Sequence, residues 1–150
     1  KKTIQVTSDG KKNAIINGIT DWVYEEEFAF VRAFDWSADS KKLAFIRFDE
    51  SQVPEFSMNI FQKDLYPSVE TFKYPKAGEK NAEVSLHIYN VSSNTSKQIN
   101  LGNYSDFYIA RMKWTNDANV LSAQVLNRHQ DNLDLIFVDG NSGVSKVVFN

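Results

Sequence analysis

The stretch FAFVRAFDWSADSKKLAFI, residues 28–46, decides the expected fold of this chain. From Phe28 to Trp36 the aromatic residues recur at period two, which predicts a strand with one aromatic face. Residues 37–42 are polar and predict a turn. Leu43–Ile46 is apolar at every position, as expected for a strand buried between two layers. We therefore predict an antiparallel hairpin here.

The strand pattern continues beyond this hairpin. Val84–Val91 alternates between apolar and polar positions, residues 92–95 predict a turn, and Lys97–Leu101 predicts a short closing strand. Together with the first hairpin, these segments form one predicted unit of four antiparallel strands.

A weak internal repeat relates this unit to the end of the chain. Trp36 with Leu43 is matched by Trp114 with Leu121 at the same offset, and LHIYNVSSN at 86–94 is matched by LDLIFVDGN at 133–141. Repeated units of four short strands, the first ending in an aromatic residue, are typical of propeller blades. A sandwich of similar hairpins is the alternative.

Residues 49–83, which we call the arm, interrupt the first unit between its second and third strands. Connections of this length are usually functional or disordered. The arm is rich in aromatic residues, which favours a partner surface over disorder. These residues are Phe56, Phe61, Tyr66, Phe72 and Tyr74.

Composition narrows the class of protein further. The chain has 150 residues, 42% of them hydrophobic, which is enough for one ordinary domain with a core. With a net charge of −2 and scattered basic residues, no nucleic-acid partner is expected. No apolar run is long enough to predict a membrane segment.

The absence of cysteine excludes disulfides, thiolate metal sites and a cysteine nucleophile, and no cofactor is expected. Because the chain begins at Lys1-Lys2 without a methionine or a signal peptide, we expect a segment of a longer protein.

The stretch NGITDWVYEEEF, residues 17–28, contains the main candidate binding site. Thr20 or Asp21 can cap a short helix, which would place Glu25 and Glu26 near its start. Three consecutive carboxylates repel one another, so a folded cluster of them favours a bound cation. A solvated acidic turn is the alternative.

The remaining chemistry-bearing residues do not form a recognisable catalytic set. Ser142 lies in a predicted turn and lacks the strand–helix context of a nucleophile elbow. His87 falls within a predicted strand and His129 near a loop, without ligand spacing around either. Arg128 is a candidate for facing a propeller channel, with a surface or structural ion pair as the alternative.

The motif DWVYEEEF at 21–28 resembles the double-glutamate motif of the dipeptidyl peptidase IV family, which are serine exopeptidases of the prolyl oligopeptidase type. Further family features follow in the same order along essentially the whole chain. They are FDWS at 34–37 with LAF at 43–45, FDESQVPE at 48–55, YPKAG at 74–78 and LNRHQ at 126–130.

The resemblance implies an all-β fold: about two antiparallel four-stranded blades of a larger, eight-bladed N-terminal propeller, with one short helix at the glutamate motif. Residues 1–27 would be the end of one blade plus this helix. Residues 28–101 would form a blade carrying the arm 49–83, and residues 104–150 the following blade.

The resemblance also implies the function. Glu26 and Glu27 would bind the N-terminal ammonium of a peptide substrate, supported by Asp21, Trp22, Tyr24 and Glu25. The Ser-Asp-His triad would lie in a C-terminal α/β-hydrolase domain beyond this chain, which alone would be inactive. The whole enzyme would release Xaa-Pro or Xaa-Ala dipeptides.

A homodimer through the arm, a bacterial source and a periplasmic or cell-surface location would follow from the same resemblance. Two alternatives are an interaction propeller of an inactive paralogue and a propeller that only filters substrates by size. The second is disfavoured, because a size filter has no need of tandem carboxylates.

Overall fold

The computed structural model describes residues 3–150 and consists of antiparallel sheets with one short helix. Strands make up 47% of the chain and the helix has seven residues, which confirms the all-β expectation. The elements in chain order are β1 (Ile15–Asn17), α1 (Trp22–Phe28), β2 (Phe34–Trp36), β3 (Lys42–Asp49), β4 (Glu55–Ile60), β5 (Ser68–Lys73), β6 (Glu83–Asn90), β7 (Thr95–Ile99), β8 (Phe107–Trp114), β9 (Val120–Asn127), β10 (Leu133–Asp139) and β11 (Ser145–Phe149).

The first sheet has the order β1-β3-β6-β7, and β2 also pairs with β3. β2 covers one half of β3, with Trp36 opposite Leu43, and β1 covers the other half, with Ile15 opposite Asp49. Thus β1 and β2 together occupy one strand position. The sheet therefore has the four positions that the sequence predicts for one blade.

Residues 18–33 interrupt that shared strand position. This segment, which we call the excursion, leaves the sheet and carries α1. The excursion closes at Ile46: the Gly18 N–H donates to the Ile46 carbonyl at 3.0 Å, and the Ile46 N–H donates to the Ala33 carbonyl at 2.9 Å. The chain thus leaves the sheet after β1 and returns next to the same residue before β2. Because the two ends meet, the excursion can carry a functional segment without disturbing the ladder.

The predicted strand over Phe28–Trp36 is wrong in its first part. Phe28 ends α1, and Ala29 has a left-handed backbone (φ 54°) that terminates the helix. The aromatic alternation arises because Phe28 and Phe30 both pack on the ring of Tyr24, with centroids 5.0 and 5.7 Å away. Periodicity alone could not separate this cluster from a strand.

Placement of β1 also differs from the expected assignment of residues 1–27 to a preceding blade. Ile15 and Ile16 pair with β3, so this segment lies in the first sheet itself. The blade boundaries at 28–101 and 104–150, like the number of blades, stay predictions.

The second sheet, β8-β9-β10-β11, repeats the first hairpin. Trp114 lies opposite Leu121 as Trp36 lies opposite Leu43. Asp35 joins the sheets, because its Oδ2 accepts from the Trp114 backbone N–H at 2.9 Å and its carbonyl from the indole N–H at 3.1 Å. The repeat predicted from the sequence is therefore a repeat of structure, and the core runs continuously across both sheets.

The arm forms a separate hairpin in which β4 pairs with β5. Its tip is almost fully exposed: Phe61 and Tyr66 are each 79% accessible and Leu65 is 88% accessible. At its base, Tyr74 donates its N–H to the Pro54 carbonyl at 3.0 Å, and the Lys73 ammonium donates to the Val53 carbonyl at 2.8 Å. The arm is thus an ordered projection. Its neck, residues 53–54 and 73–74, is closed by hydrogen bonds, and its tip, residues 61–66, exposes three large apolar side chains.

Candidate functional site

Asp21 starts the helix that carries the glutamates. Its Oδ1 accepts from the Tyr24 N–H at 3.0 Å, the usual N-cap arrangement, so of the two predicted caps Asp21 is the one used. The Thr20 hydroxyl instead donates to the Phe30 carbonyl at 3.0 Å and ties the two ends of the excursion together. Burial raises the pKa of Asp21 to about 6, since the carboxylate is only 7% exposed.

Tyr24 anchors the helix to the second sheet. Its ring is buried against Phe48 and Tyr108, and its hydroxyl accepts from the Ile109 N–H at 2.8 Å. Ile109 lies where the register of β8 and β9 shifts, so this N–H is directed out of the regular ladder. Burial raises the pKa of the phenol well above its ordinary value, so the hydroxyl stays neutral.

Glu26 and Glu27 lie in the last turn of α1, and the expectation that Glu26 lies near the helix start is wrong. Only Glu25 of the three falls in the first turn. The reason is that the helix is capped by Asp21 and ends at Phe28, which leaves room for two turns. At the carboxyl end of a helix the backbone carbonyls carry partial negative charge, so the two carboxylates and the helix end all favour a cation.

The three glutamates point in different directions around the helix axis. Successive residues on a helix are rotated by about 100°, so Glu26 and Glu27 diverge by that angle and Glu25 points a further step away. All three side chains are exposed. Two neighbouring carboxylates can share one ligand placed over the ridge between them, and the third cannot join them.

Glu27 lies in the wall of a cavity of about 860 Å³ between α1, the arm and the turn after β9. The helix contributes Trp22 and Val23 to this cavity, and the arm contributes an aromatic wall. The edge of the Trp22 ring meets Tyr74 with centroids 4.3 Å apart. The arm residues in the wall are Phe56, Met58, Phe72, Tyr74, Pro75, Lys76, Ala77 and Asn81.

Arg128 lines the same cavity from the turn that follows β9. One guanidinium nitrogen lies 3.6 Å from an oxygen of Asp106, and another donates to the Glu79 carbonyl at 2.8 Å. The Glu79 bond joins the turn to the end of the arm, and the Asp106 contact joins it to the segment before β8. The positively charged Arg128 side chain and Glu27 thus line the same cavity. Arg128 can therefore face a site and also take part in an ion pair, which were the two alternatives for this residue.

A second acidic group lies beneath the helix. Glu50 is buried, and its pKa is raised by burial and then by the negative charge of Asp21, while the Lys73 ammonium acts in the opposite direction. Lys73 also lies 3.6 Å from Glu55. The start of the helix and the base of the arm therefore belong to one charged cluster.

The histidines and serines do not form a catalytic centre in the described part of the chain. His87 Nε2 lies 2.9 Å from the Ser85 hydroxyl, and its ring stacks on Phe45. Ser85 and His87 lie two residues apart on β6, and no carboxylate of the described residues hydrogen-bonds to the His87 ring, so the pair lacks the third member of a catalytic triad. Ser142 donates its hydroxyl to Asp139 within the β10–β11 turn at 2.8 Å, as turn residues do.

Residues 3–150, the part of the chain that the structure describes, contain neither a metal site nor a membrane-spanning helix. No group of three His, Asp or Glu side chains there could hold a metal ion. No helix in this range has the length and hydrophobicity needed to cross a bilayer.

Sequence reasoning did not include the arm base in the site. The sequence favours a partner surface for Tyr74 and its aromatic neighbours, whereas the structure places them opposite Glu27. The sequence feature that could have located this part of the site is YPKAG at 74–78, which follows the second strand of the arm and leads the chain back to the sheet. The expected supporting residues Asp21, Trp22 and Tyr24 all contact their surroundings as described above, while Glu25 is solvent exposed.

The blade-like sheets and the helix with its paired glutamates define the propeller region of a dipeptidyl-peptidase-type protein. The model of the dipeptidyl peptidase IV N-terminal region matches residues 1–150, and the chain belongs to this family. A crystal structure of Porphyromonas gingivalis dipeptidyl peptidase 4 superimposes with a TM-score of 0.93 at 48% identity, covering 97% of this chain and 21% of that one.

Two curated relatives represent different activities. Dipeptidyl aminopeptidase B of Saccharomyces cerevisiae is 36% identical over all of this chain and 19% of its own length. The inactive dipeptidyl peptidase 10 of Mus musculus is 33% identical over 94% of this chain and 18% of its own length. The chain thus spans about a fifth of each relative.

Proposed function

We propose that this chain is the substrate-recognition region of a dipeptidyl peptidase, in which Glu26 and Glu27 bind the ammonium group at the N-terminus of a peptide. The observation that carries the proposal is the position of the glutamate pair. Both lie in the last turn of a helix that the buried Tyr24 ties to β8, and Glu27 lies in the wall of a cavity.

The chemistry of the ligand supports this assignment. A peptide α-amine has a pKa near 8 and is mostly protonated at neutral pH. Each charge-assisted hydrogen bond to it contributes roughly 1.5–3 kcal/mol. A rigid pair of carboxylates therefore binds the chain terminus and sets its distance from the bond to be cleaved. That distance is what makes a peptidase release dipeptides.

In the complete enzyme, a C-terminal α/β-hydrolase domain of the same chain would supply a Ser-Asp-His triad and cleave after the second residue, with Xaa-Pro and Xaa-Ala as the dipeptides released. The arm, with its apolar tip, would contact a second subunit. A bacterial source and a periplasmic or cell-surface location complete the proposal. The hydrolase domain is supported by the family membership, the bacterial source by the 48% identity to the Porphyromonas gingivalis protein, and the role of the arm by the exposure of Phe61, Leu65 and Tyr66.

The second candidate is a propeller that has kept its fold and lost its activity. The observation in its favour is the 33% identity to the inactive dipeptidyl peptidase 10. In that case the aromatic arm would be the interaction surface and the glutamates would bind no substrate.

The experiment that tests the proposal measures amine selectivity in the full-length protein. We define amine selectivity as kcat/KM for an Xaa-Pro reporter divided by kcat/KM for the same reporter with its α-amino group replaced by hydrogen. Glu27→Gln keeps the shape of the side chain and removes its charge, and should lower amine selectivity at least tenfold. An active enzyme whose selectivity is unchanged by this substitution would refute the proposal.

A further inference from the structure

The base of the arm contacts the glutamate helix directly. Tyr74 follows β5, and its ring meets the ring of Trp22, the first residue of α1, with a centroid distance of 4.3 Å and an interplanar angle of 61°. Behind it, the Tyr74 ring packs on Phe56 and Phe72 at 5.5 and 6.4 Å. Trp22 therefore rests on an aromatic cluster that belongs entirely to the arm.

This cluster is held in place by the closed neck of the arm. The Tyr74 N–H bonds to the Pro54 carbonyl, and the Lys73 ammonium bonds to the Val53 carbonyl while lying 3.6 Å from Glu55. Asn13 also donates to the Thr71 carbonyl at 3.3 Å. These bonds join the two sides of the neck to each other, and the Asn13 bond joins the arm to the turn before β1.

The helix depends on such outside contacts. Isolated helices shorter than about 12–15 residues are marginal in water, and α1 has seven residues. Asp21 fixes its start and Tyr24 fixes it to β8. Neither contact holds the side of the helix that faces the arm, where Trp22 meets Tyr74.

Trp22 determines the direction of the glutamates through the helix repeat. Residues four apart lie on the same face of a helix, so Trp22 shares a face with Glu26, and Val23 shares one with Glu27. Trp22, Val23 and Glu27 all line the cavity. A rotation of α1 that moved the Trp22 ring would therefore turn both carboxylates away from a common ligand.

From these contacts we infer that Tyr74 is a positioning residue for the ammonium site: it holds Trp22 and thereby sets the rotation of the helix that presents Glu26 and Glu27. This inference rests on the proposed function of the two glutamates. It makes the arm base part of the substrate site, in addition to any contact that the arm tip makes with a second subunit. Binding groups displaced by about 1 Å can cost up to a hundredfold in rate, so a loosened helix has a measurable effect.

The experiment compares tyrosine variants of the full-length protein. Tyr74→Ala should lower kcat/KM for the free-amine reporter about tenfold more than kcat/KM for the des-amino reporter, which is a tenfold loss of amine selectivity. Tyr74→Phe keeps the ring and should retain wild-type selectivity. Tyr66→Ala is the matched control, because it removes the same side chain from the exposed arm tip. It should leave selectivity unchanged even where sedimentation shows weaker association.

Tyr74→Leu keeps apolar volume without a ring, and replaces Tyr74→Ala if that variant does not fold. Unchanged selectivity in the folded variant, alongside a fall in Glu27→Gln, would overturn the positioning role and leave the proposed function standing. An equal fall in Tyr66→Ala would assign the effect to subunit association and also overturn it. If Glu27→Gln has no effect on selectivity, the proposed function fails, and the positioning role fails with it.

Discussion

The hydroxyl of Tyr24 accepts a hydrogen bond from the backbone N–H of Ile109 at 2.8 Å, which joins the glutamate helix to the first strand of the second sheet. The two residues are 85 positions apart in the sequence. Through this bond the helix, which interrupts one sheet, is oriented by its neighbour. The glutamate site therefore depends on two sheets and the arm together.

Loss of this hydroxyl should destabilise the protein. Tyr24→Phe leaves the buried Ile109 N–H without its partner, and an unsatisfied buried donor costs about 1–3 kcal/mol. We expect a loss of that size in the free energy of unfolding, measured by urea denaturation followed by tryptophan fluorescence. Tyr66→Phe removes a hydroxyl from the exposed arm tip and should leave stability unchanged. Equal stability of the two variants would show that the Tyr24 bond contributes little.

Asp21 should make stability depend on pH. Its folded pKa of about 6 lies above the ordinary value of 3.8, so the folded state holds the proton more tightly than the unfolded state. This contribution is complete below pH 3.8 and is lost as pH rises through about 6. Asp21→Asn keeps a good N-cap and removes the titration.

The expected result is similar stability of wild type and Asp21→Asn near pH 4 and an advantage for the variant above pH 7, of about 3 kcal/mol at most. Urea denaturation at both pH values measures this difference. Asp64→Asn on the exposed arm serves as the control. A variant advantage that is the same at both pH values would mean that Asp21 does not titrate as described.

The isolated 150-residue chain should show no peptidase activity. Ser142 donates its hydroxyl to Asp139 in a turn, and among residues 3–150 no carboxylate hydrogen-bonds to the His87 ring that lies beside Ser85, so neither serine belongs to a complete catalytic triad. The measurement is cleavage of an Xaa-Pro reporter by the purified chain. Cleavage that is lost on Ser85→Ala or Ser142→Ala would place the nucleophile in this chain and contradict the assignment of catalysis to a separate domain.

The isolated chain should also self-associate. β7 and β11 are edge strands, and Phe149 on β11 is 71% exposed, so unpaired backbone and apolar side chains are available together. Sedimentation at increasing concentration should show dimers or larger species. A monomer throughout that range would contradict this expectation.

The sequence predicts those strands whose residues follow a clear hydrophobic pattern. Lys42–Asp49 and Glu83–Asn90 were predicted to within a few residues, because buried strands with polar turns leave a clear signal. The Trp36–Leu43 and Trp114–Leu121 pairs likewise appear opposite one another in the two sheets.

Features that depend on contacts between residues far apart in the sequence could not be predicted. Phe28 and Phe30 alternate like strand residues but pack on Tyr24, and only the fold reveals this partner. The glutamate motif located the helix, yet its end was set by the left-handed Ala29. Tyr74 lies far from Trp22 in sequence, so its contact with the helix could not be read from local spacing.

The central claim is that Glu26 and Glu27 bind a substrate ammonium, and one double-mutant cycle tests it most directly. It measures kcat/KM for the free-amine and des-amino reporters with wild type, Glu26→Gln, Glu27→Gln and Glu25→Gln, the last being the matched control from the same acidic run. Removing the amine should harm wild type and Glu25→Gln at least tenfold more, about 1.4 kcal/mol, than it harms the other two variants. Equal losses in all four proteins would show that the glutamates do not bind the N-terminus and are solvated side chains on a surface helix.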